Sequence, residues 1–298
     1  MHNKVLLTGA TGFLGTYINE QLKKQYEVHT LGRSAANTIK SDITKPIPPI
    51  KIKYEYLIHN AGKAHTNPKT AKEKQVYKAV NYTGTVNLCK ALKNNPPENI
   101  VYISTIAVYG KKTSIKTDET EALNGKTPYA KSKIKAEAYL QKWAKENKAN
   151  LVILRLPLVA GKNPKGNLQA MIKGIEKGYY INITKTKAKK SIVLAEDVAA
   201  IIPQLKNKNG IYNLAGEKDY TFKEIAAIIA KQQNNKKVHQ LPYAIVKIIA
   251  IIGDLIPYIP INSKKLKKIT NNTTVSAEKA KQEINWKPKN LEKNFKIK

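Results

Sequence analysis

Residues 5–15 read Val5-Leu6-Leu7-Thr8-Gly9-Ala10-Thr11-Gly12-Phe13-Leu14-Gly15. Val5-Leu6-Leu7 is a compact apolar strand, the glycines turn the chain, and a helical pattern runs from Gly12 to Lys24. In that order the three parts make an anion cradle. Small residues let the backbone turn sharply and approach a phosphate, and the free amides at the helix start bind it. The spacing is G-x-x-G-x-x-G rather than G-x-G-x-x-G. A glycine-rich turn alone says little, but one at residue 9 between a strand and a helix is specific. The expected ligand is the pyrophosphate of a dinucleotide, met by Gly9, Thr11, Gly12, Phe13, Leu14 and Gly15.

Downstream of this turn, apolar runs alternate with helical patterns. Strands are expected at Tyr26–Leu31, Tyr54–His59, Ile100–Ser104 and Leu151–Leu156, with helices over Ala71–Lys93 and Pro128–Asn147. Strands apolar throughout suit a parallel sheet covered on both faces. The fold class is therefore α/β, a doubly wound parallel sheet. After Pro157 the rhythm changes to a helix at Gly166–Gly178, short strands at Ser191–Leu194 and Ile211–Leu214, and a helix at Glu196–Leu205. Thr221 and Glu224 have the spacing of a capping box. We expect a dinucleotide-binding domain over 1–165, to which 191–214 returns, and a smaller mixed substrate-binding domain over 166–298.

Composition narrows the function. No run reaches the 18 or so apolar residues of a membrane span; the longest, Ala244–Ile252, is broken by Lys247 and reads as a core or interface helix. Lys4 leads straight into the first strand, so no secretory leader is expected, and the single cysteine, Cys89, suits a reducing cytoplasm. The formal charge is +32, yet only Arg33 and Arg155 are arginine and the lysines are spread along the chain. Nucleic-acid recognition favours clustered arginine forks, so a solvated basic surface is the plainer reading. Such a surface still attracts polyanionic substrates, and weak peripheral association with anionic membranes is compatible with it. The five histidines show no metal-ligand spacing, so no metal is expected.

The strand ends carry the remaining cofactor candidates. Leu31-Gly32-Arg33 closes the second strand with an arginine where an acid would favour NAD, so NADP is preferred over NAD. Asp42 and Ile43 are placed to meet the adenine, and His59-Asn60-Ala61-Gly62 ends the third strand with small residues beside the cofactor. Tyr129 and Lys133, an i, i+4 pair, share a helix face. The ammonium is expected to lower the tyrosine pKa and hold the nicotinamide ribose, making Tyr129 a proton donor and acceptor. A second Tyr-x-x-x-Lys match, Tyr243–Lys247, lacks this context. Ser104 and Thr105, at the end of the fourth strand, offer a hydroxyl to the substrate oxygen.

Together these pieces resemble the extended short-chain dehydrogenase/reductase family, also called the NAD-dependent epimerase/dehydratase family. The matching segments are TGATGFLG, HNAG, Asn81-Tyr-Thr-Gly84-Thr85, Ser104-Thr105-Ile-Ala-Val-Tyr109-Gly110, YAKSK, Arg155-Leu-Pro157 with Gly161, and Ala280 to Pro288. They run in the family's order over nearly the whole chain. The resemblance implies a Rossmann-type domain, places the catalytic hydroxyl on Thr105 with Ser104 beside it, and puts Pro157 against the cofactor. It implies a nucleotide-sugar substrate, with Asn167 and Lys190 at the diphosphate or nucleotide, and a homodimer through the helices carrying Tyr129 and residues 71–93. HNAG in place of HLAA, and lysine rather than arginine at 190, depart from many relatives. His65 is a candidate for the pocket wall, though a plain loop histidine is the simpler reading, and Cys89 reads as core. The leading expectation is reduction of a 4-keto sugar by NAD(P)H; the alternative is a UDP-hexose or N-acetylhexosamine 4-epimerase with tightly bound NAD.

Overall fold

The computed structural model describes residues 3–64, 68–111, 113–256, 258 and 261–297. The first half contains β1 (Lys4–Thr8), α1 (Phe13–Leu22), β2 (Glu27–Gly32), β3 (Ile39–Lys40) and β4 (Tyr56–His59). Then come α2 (Ala71–Lys78), a π turn at Ala79–Thr83, α3 (Gly84–Ala91), β5 (Asn99–Thr105), β6 (Ser114–Thr117), α4 (Pro128–Glu146) and β7 (Asn150–Leu156). The expected helix over 71–93 is thus continuous but contains one π turn. Thr70 and Glu73 form a reciprocal capping box at its start, as Thr221 and Glu224 do further on. At the head of α4, the Thr127 hydroxyl accepts from the Ala130 amide at 3.1 Å and Pro128 fills the first helical position.

The second half adds β8 (Leu158–Ala160), α5 (Asn167–Glu176), β9 (Ile181–Ile183), β10 (Lys189–Lys190), β11 (Ile192–Leu194), α6 (Ala195–Ile201) and β12 (Gly210–Asn213). It ends with β13 (Tyr220–Thr221), α7 (Phe222–Gln232), β14 (His239–Leu241), α8 (Tyr243–Leu255), α9 (Ser263–Thr270), β15 (Thr273–Val275), α10 (Glu278–Ile284) and α11 (Leu291–Asn294). Its short strands, of two to four residues, carry too few side chains to show a period in the sequence.

Seven strands form the main sheet, in the order β12-β7-β5-β4-β1-β2-β3, and every pairing is parallel. The direction of winding reverses between β1 and β4. Open α/β sheets bind ligands at such a point, outside the carboxyl ends of the strands. Both central strands are buried because helices cover each face: α1 and α6 contribute Leu14, Ile18, Val198 and Ile201 to one side, α3 and α4 contribute Leu88, Cys89, Leu140 and Trp143 to the other. A smaller mixed sheet, β13-β10-β15-β6, lies apart from it. Trp286, just after α10, donates its indole N–H to the Ala215 carbonyl at 2.8 Å and joins the core shared with β1 and β12. The last segment therefore packs back onto the first.

Candidate active site

The glycine loop is built by contact. Gly9 has φ +72°, and a Cβ there would lie 2.8 Å from the Ala61 backbone. A Cβ on Gly15 would sit 1.9 Å from the Gly9 carbonyl oxygen. Asn60 donates its side-chain amide to that same oxygen at 3.1 Å, and the Ala61 amide donates to the Thr8 hydroxyl at 3.1 Å. The turns after β1 and β4 are thereby locked together. Gly12 caps α1 in an extended conformation without a side-chain hydrogen bond, and no acid stands in the first turn. The helix start thus keeps its amides and positive dipole end for an anion. A cleft of about 510 Å³ opens there, lined by Thr11, Gly12, Phe13, Tyr17 and Lys162 among others. These features fit a dinucleotide pyrophosphate. Leu14 is core, so only its amide can contribute.

Other expected cofactor residues take varied positions. Arg33 is exposed beyond β2. Asp42 accepts from the Thr44 amide at 2.9 Å and its hydroxyl at 2.8 Å; the amide, the hydroxyl and the nearby Arg33 charge hold its carboxyl below the usual range, against burial. Ile43 is buried against Gly84, where a Cβ would approach its Cγ1 to 2.1 Å. Pro157 joins β7 to β8.

His59 is fully buried and fixed at both nitrogens. Thr85 gives its proton to the Asn81 carbonyl at 2.7 Å, so at 2.9 Å it must accept from His59 Nε2. Nδ1 then accepts from the Thr8 hydroxyl at 2.8 Å. Burial, then the Lys133 charge, pushes His59 down to about 3, which keeps it neutral. Asn81 sits in the π turn, the kind of helix irregularity common at functional sites. It accepts from the Lys63 amide at 2.7 Å and donates to the Ser132 hydroxyl at 2.9 Å. The loop after β4 is so tied to α4.

Tyr129, Lys133 and Thr105 come together where β5 ends. The Thr105 hydroxyl stands close enough to the Tyr129 phenol to favour its charged form, and the phenol ring stands edge-on to Tyr77 at 6.1 Å. Lys133 Nζ donates to the Ile103 carbonyl at 2.7 Å and lies 4.4 Å from the Tyr102 ring centroid. The expected electrostatics differ in one respect. Burial pushes the Tyr129 phenol up to about 12, against the pull of Thr105. Burial also pushes Lys133 down to about 8, with Glu137 opposing. In this arrangement the ammonium turns to Ile103, and desolvation outweighs its pull on the phenol.

Ser104 lies elsewhere. Successive strand residues point to opposite faces, and its hydroxyl donates to Glu137 Oε1 in a short buried contact. Glu137 also receives Arg155, whose Nη2 lies 2.7 Å from Oε2 with both groups almost fully buried. Arg155 Nη1 donates to the Tyr109 hydroxyl at 3.1 Å, which donates to Asn213 at 2.8 Å. Sequence reading passed over Glu137, although its i, i+4 spacing from Lys133 puts it on the same helix face.

The expected diphosphate contacts divide. Asn167 is exposed at the first position of α5, after Gly166. Lys190 departs from expectation. Its Nζ donates to the carbonyls of Lys268 at 2.8 Å and Asn271 at 2.5 Å and to the Thr273 hydroxyl at 3.0 Å. Three donors meet three protein oxygens, so the ammonium staples β10 to the α9–β15 junction and leaves no N–H for a phosphate. His65 lies outside the described residues.

Comparison with known proteins agrees with this architecture. The profile of the NAD dependent epimerase/dehydratase family matches residues 5–215. A UDP-glucose 4-epimerase of Vibrio cholerae is 27% identical over 99% of this chain and 94% of its own. An N-acetyl-α-D-glucosaminyl-diphospho-ditrans,octacis-undecaprenol 4-epimerase of Escherichia coli O157:H7 is 26% identical over 94% of this chain and 89% of its own. Among solved structures, UDP-glucose 4-epimerase of Thermotoga maritima with UDP-glucose superposes with a TM-score of 0.76 at 18% identity, covering 97% of this chain and 95% of that one. RMD from Pseudomonas aeruginosa complexed with NADPH does so at 0.76 and 17%, covering 98% and 96%. Profile and fold together place this chain in the NAD dependent epimerase/dehydratase family.

Proposed function

We propose that this chain is a 4-epimerase of a UDP-linked hexose or N-acetylhexosamine, with NAD as resident cofactor. The observation that carries the reading is the meeting of Thr105, Tyr129 and Lys133 at the carboxyl end of β5, on the same sheet edge as the glycine loop. The similarity to named 4-epimerases over nearly the full chain supports it over the ketoreductase otherwise expected. The two relatives' named substrates share a sugar joined to a diphosphate, and the proposal rests on that group.

Gly9 to Gly15 would hold the pyrophosphate of the dinucleotide, and the Asn60–Gly62 turn and Lys133 would hold its nicotinamide half. When bound, NAD supplies the hydride acceptor and donor and, when oxidised, a positive ring. Tyr129 Oη takes the proton of the sugar C4 hydroxyl and later gives it back, while Thr105 holds the oxygen in line. The phenol, at about 12 without ligand, needs added positive charge to work near neutral pH. Lys133 stands ready to supply part of it. NAD suits this reading because the Asp42 carboxylate stands near enough to Arg33 to feel its charge, and it would repel a 2′-phosphate there.

Arg33, exposed at the end of β2, favours a second reading, the NADPH-dependent 4-ketoreductase. One experiment separates them. The purified protein is given UDP-glucose or UDP-N-acetylglucosamine, and then a UDP-4-keto-sugar with NADPH. Interconversion at C4 without net cofactor use, lost in Tyr129→Phe, supports the epimerase. Stoichiometric NADPH oxidation by the keto sugar replaces it with the reductase.

A further inference from the structure

Helices α8 and α9 form a hairpin. α8 buries Val246, Ala250 and Gly253, and two of these make a small cluster of their own with Leu266 of α9. The Ser263 amide donates to Asp254 at 3.1 Å, tying the start of α9 to the end of α8. So far this is an ordinary amphipathic pair.

The opposite side of α8 is not ordinary. Ile245, Ile248, Ile252 and Leu255 follow one another at steps of three and four residues, with Ile251 alongside, which places them on one stripe. Their exposures are 45, 60, 42 and 82%, and that of Ile251 is 51%. Tyr258, just beyond, is 95% exposed. A helix at a water-facing surface carries polar residues opposite its buried face, whereas α8 is apolar on both sides. A contiguous exposed stripe of this kind marks an interaction surface.

Charge decides what covers it. Between Lys236 and Thr270 the chain has seven lysines and one acid, Asp254, which already accepts from Ser263. Four of the lysines, Lys264, Lys265, Lys267 and Lys268, are exposed on α9 around the single buried Leu266. A second copy seated on the stripe would bring two such basic hairpins together in a protein of formal charge +32. An acidic lipid surface offers apolar depth and the opposite charge at once.

We propose that the α8–α9 hairpin docks this protein on the surface of an acidic phospholipid bilayer. The stripe on α8 enters the headgroup–acyl boundary and the α9 lysines meet the phosphates. At 13 residues, α8 is about 20 Å long. That falls short of the roughly 30 Å hydrocarbon core, so the helix lies in the interface plane. The inference is independent of the reaction proposed above.

The test is co-sedimentation of the full-length protein with vesicles of phosphatidylcholine alone or mixed in equal parts with phosphatidylglycerol. Binding is expected to the mixed vesicles only, and to weaken in high salt. Ile248→Asp with Leu255→Asp, or Lys264→Gln with Lys267→Gln, should each weaken it by about tenfold or more. Lys142→Gln with Lys145→Gln, on α4, should leave it unchanged. Ile248→Trp keeps an apolar residue and should show a blue-shifted emission on mixed vesicles, over a background from the buried Trp143 and Trp286. Absence of binding, an unshifted Ile248→Trp spectrum, or equal weakening by the α4 pair overturns the proposal. So does a dimer in sedimentation velocity that Ile248→Asp disperses while vesicles go unbound, because the occupant is then a second copy.

Discussion

Lys133 and Lys190 are alike in burial and differ in what their N–H groups meet. Each is buried, and burial pushes each ammonium down to about 8. Lys133 has one oxygen acceptor among the described residues, the Ile103 carbonyl, and faces the Tyr102 ring and the open turn at Gly62. Lys190 has three oxygen acceptors and no donor left. The lesson concerns capacity. A buried cation with unused N–H groups can still take a ligand, and one saturated by protein oxygens is a structural pin.

Substitution breaks or sharpens that contrast. Lys133→Met should lower kcat for the C4 interconversion by about 10²–10⁴-fold while leaving urea stability unchanged or raised, since it removes a buried charge. A stability loss with normal turnover would reverse the assignment. Arg155→Met tests the scaffold beneath Lys133. It strands the Glu137 carboxylate in the core and should cost about 3–5 kcal/mol in denaturant unfolding. Lys190→Met should cost about 1–3 kcal/mol because it leaves three acceptors unpaired, with kcat within about threefold of the parent.

The smallest effect is in pH dependence. Both lysines have folded values of about 8, below the ordinary 10.5. Below pH 8 each is protonated folded and unfolded, and the burial penalty is fully present. As pH rises from about 8 to about 10.5, the folded chain sheds protons that the unfolded chain retains, so this contribution to stability rises. On the proposed mechanism, activity should run the other way and fall above about pH 8 as Lys133 loses its charge. Lys190→Met should flatten part of the stability slope and leave the activity limb in place. Loss of that limb in Lys190→Met would join the two lysines functionally.

What could be read from sequence follows range. The glycine turn, the parallel sheet and the Tyr129–Lys133 pair are local patterns, with all their information within a strand, a turn or one helical face. Ser104 and Thr105 could not be ranked from residues alone, because alternation says that one faces the site without saying which. The resemblance puts Lys190 at the diphosphate or nucleotide, whereas its acceptors come from residues 268–273, and nothing near position 190 announces them. Glu137 was legible in principle from its spacing to Lys133. The Ala244–Ile252 run reads as core or interface, and hydropathy alone cannot show that its outer stripe stays exposed among the described residues.

The late arrival of β12 has a consequence for how the protein is made. β12 pairs with the outer edge of β7, with Gly210 opposite Val152 and Asn213 opposite Arg155. Translation must pass the whole stretch from Pro157 to Asn209 before that edge can be closed. Until then a nascent chain presents β7 as an open template for foreign strands, and Tyr109 lacks its Asn213 acceptor. The main sheet is therefore complete only once both halves have been made. A fragment cut at residue 165 would have the glycine loop, Tyr129 and Lys133 in sequence, but not the strand that seals the sheet holding them.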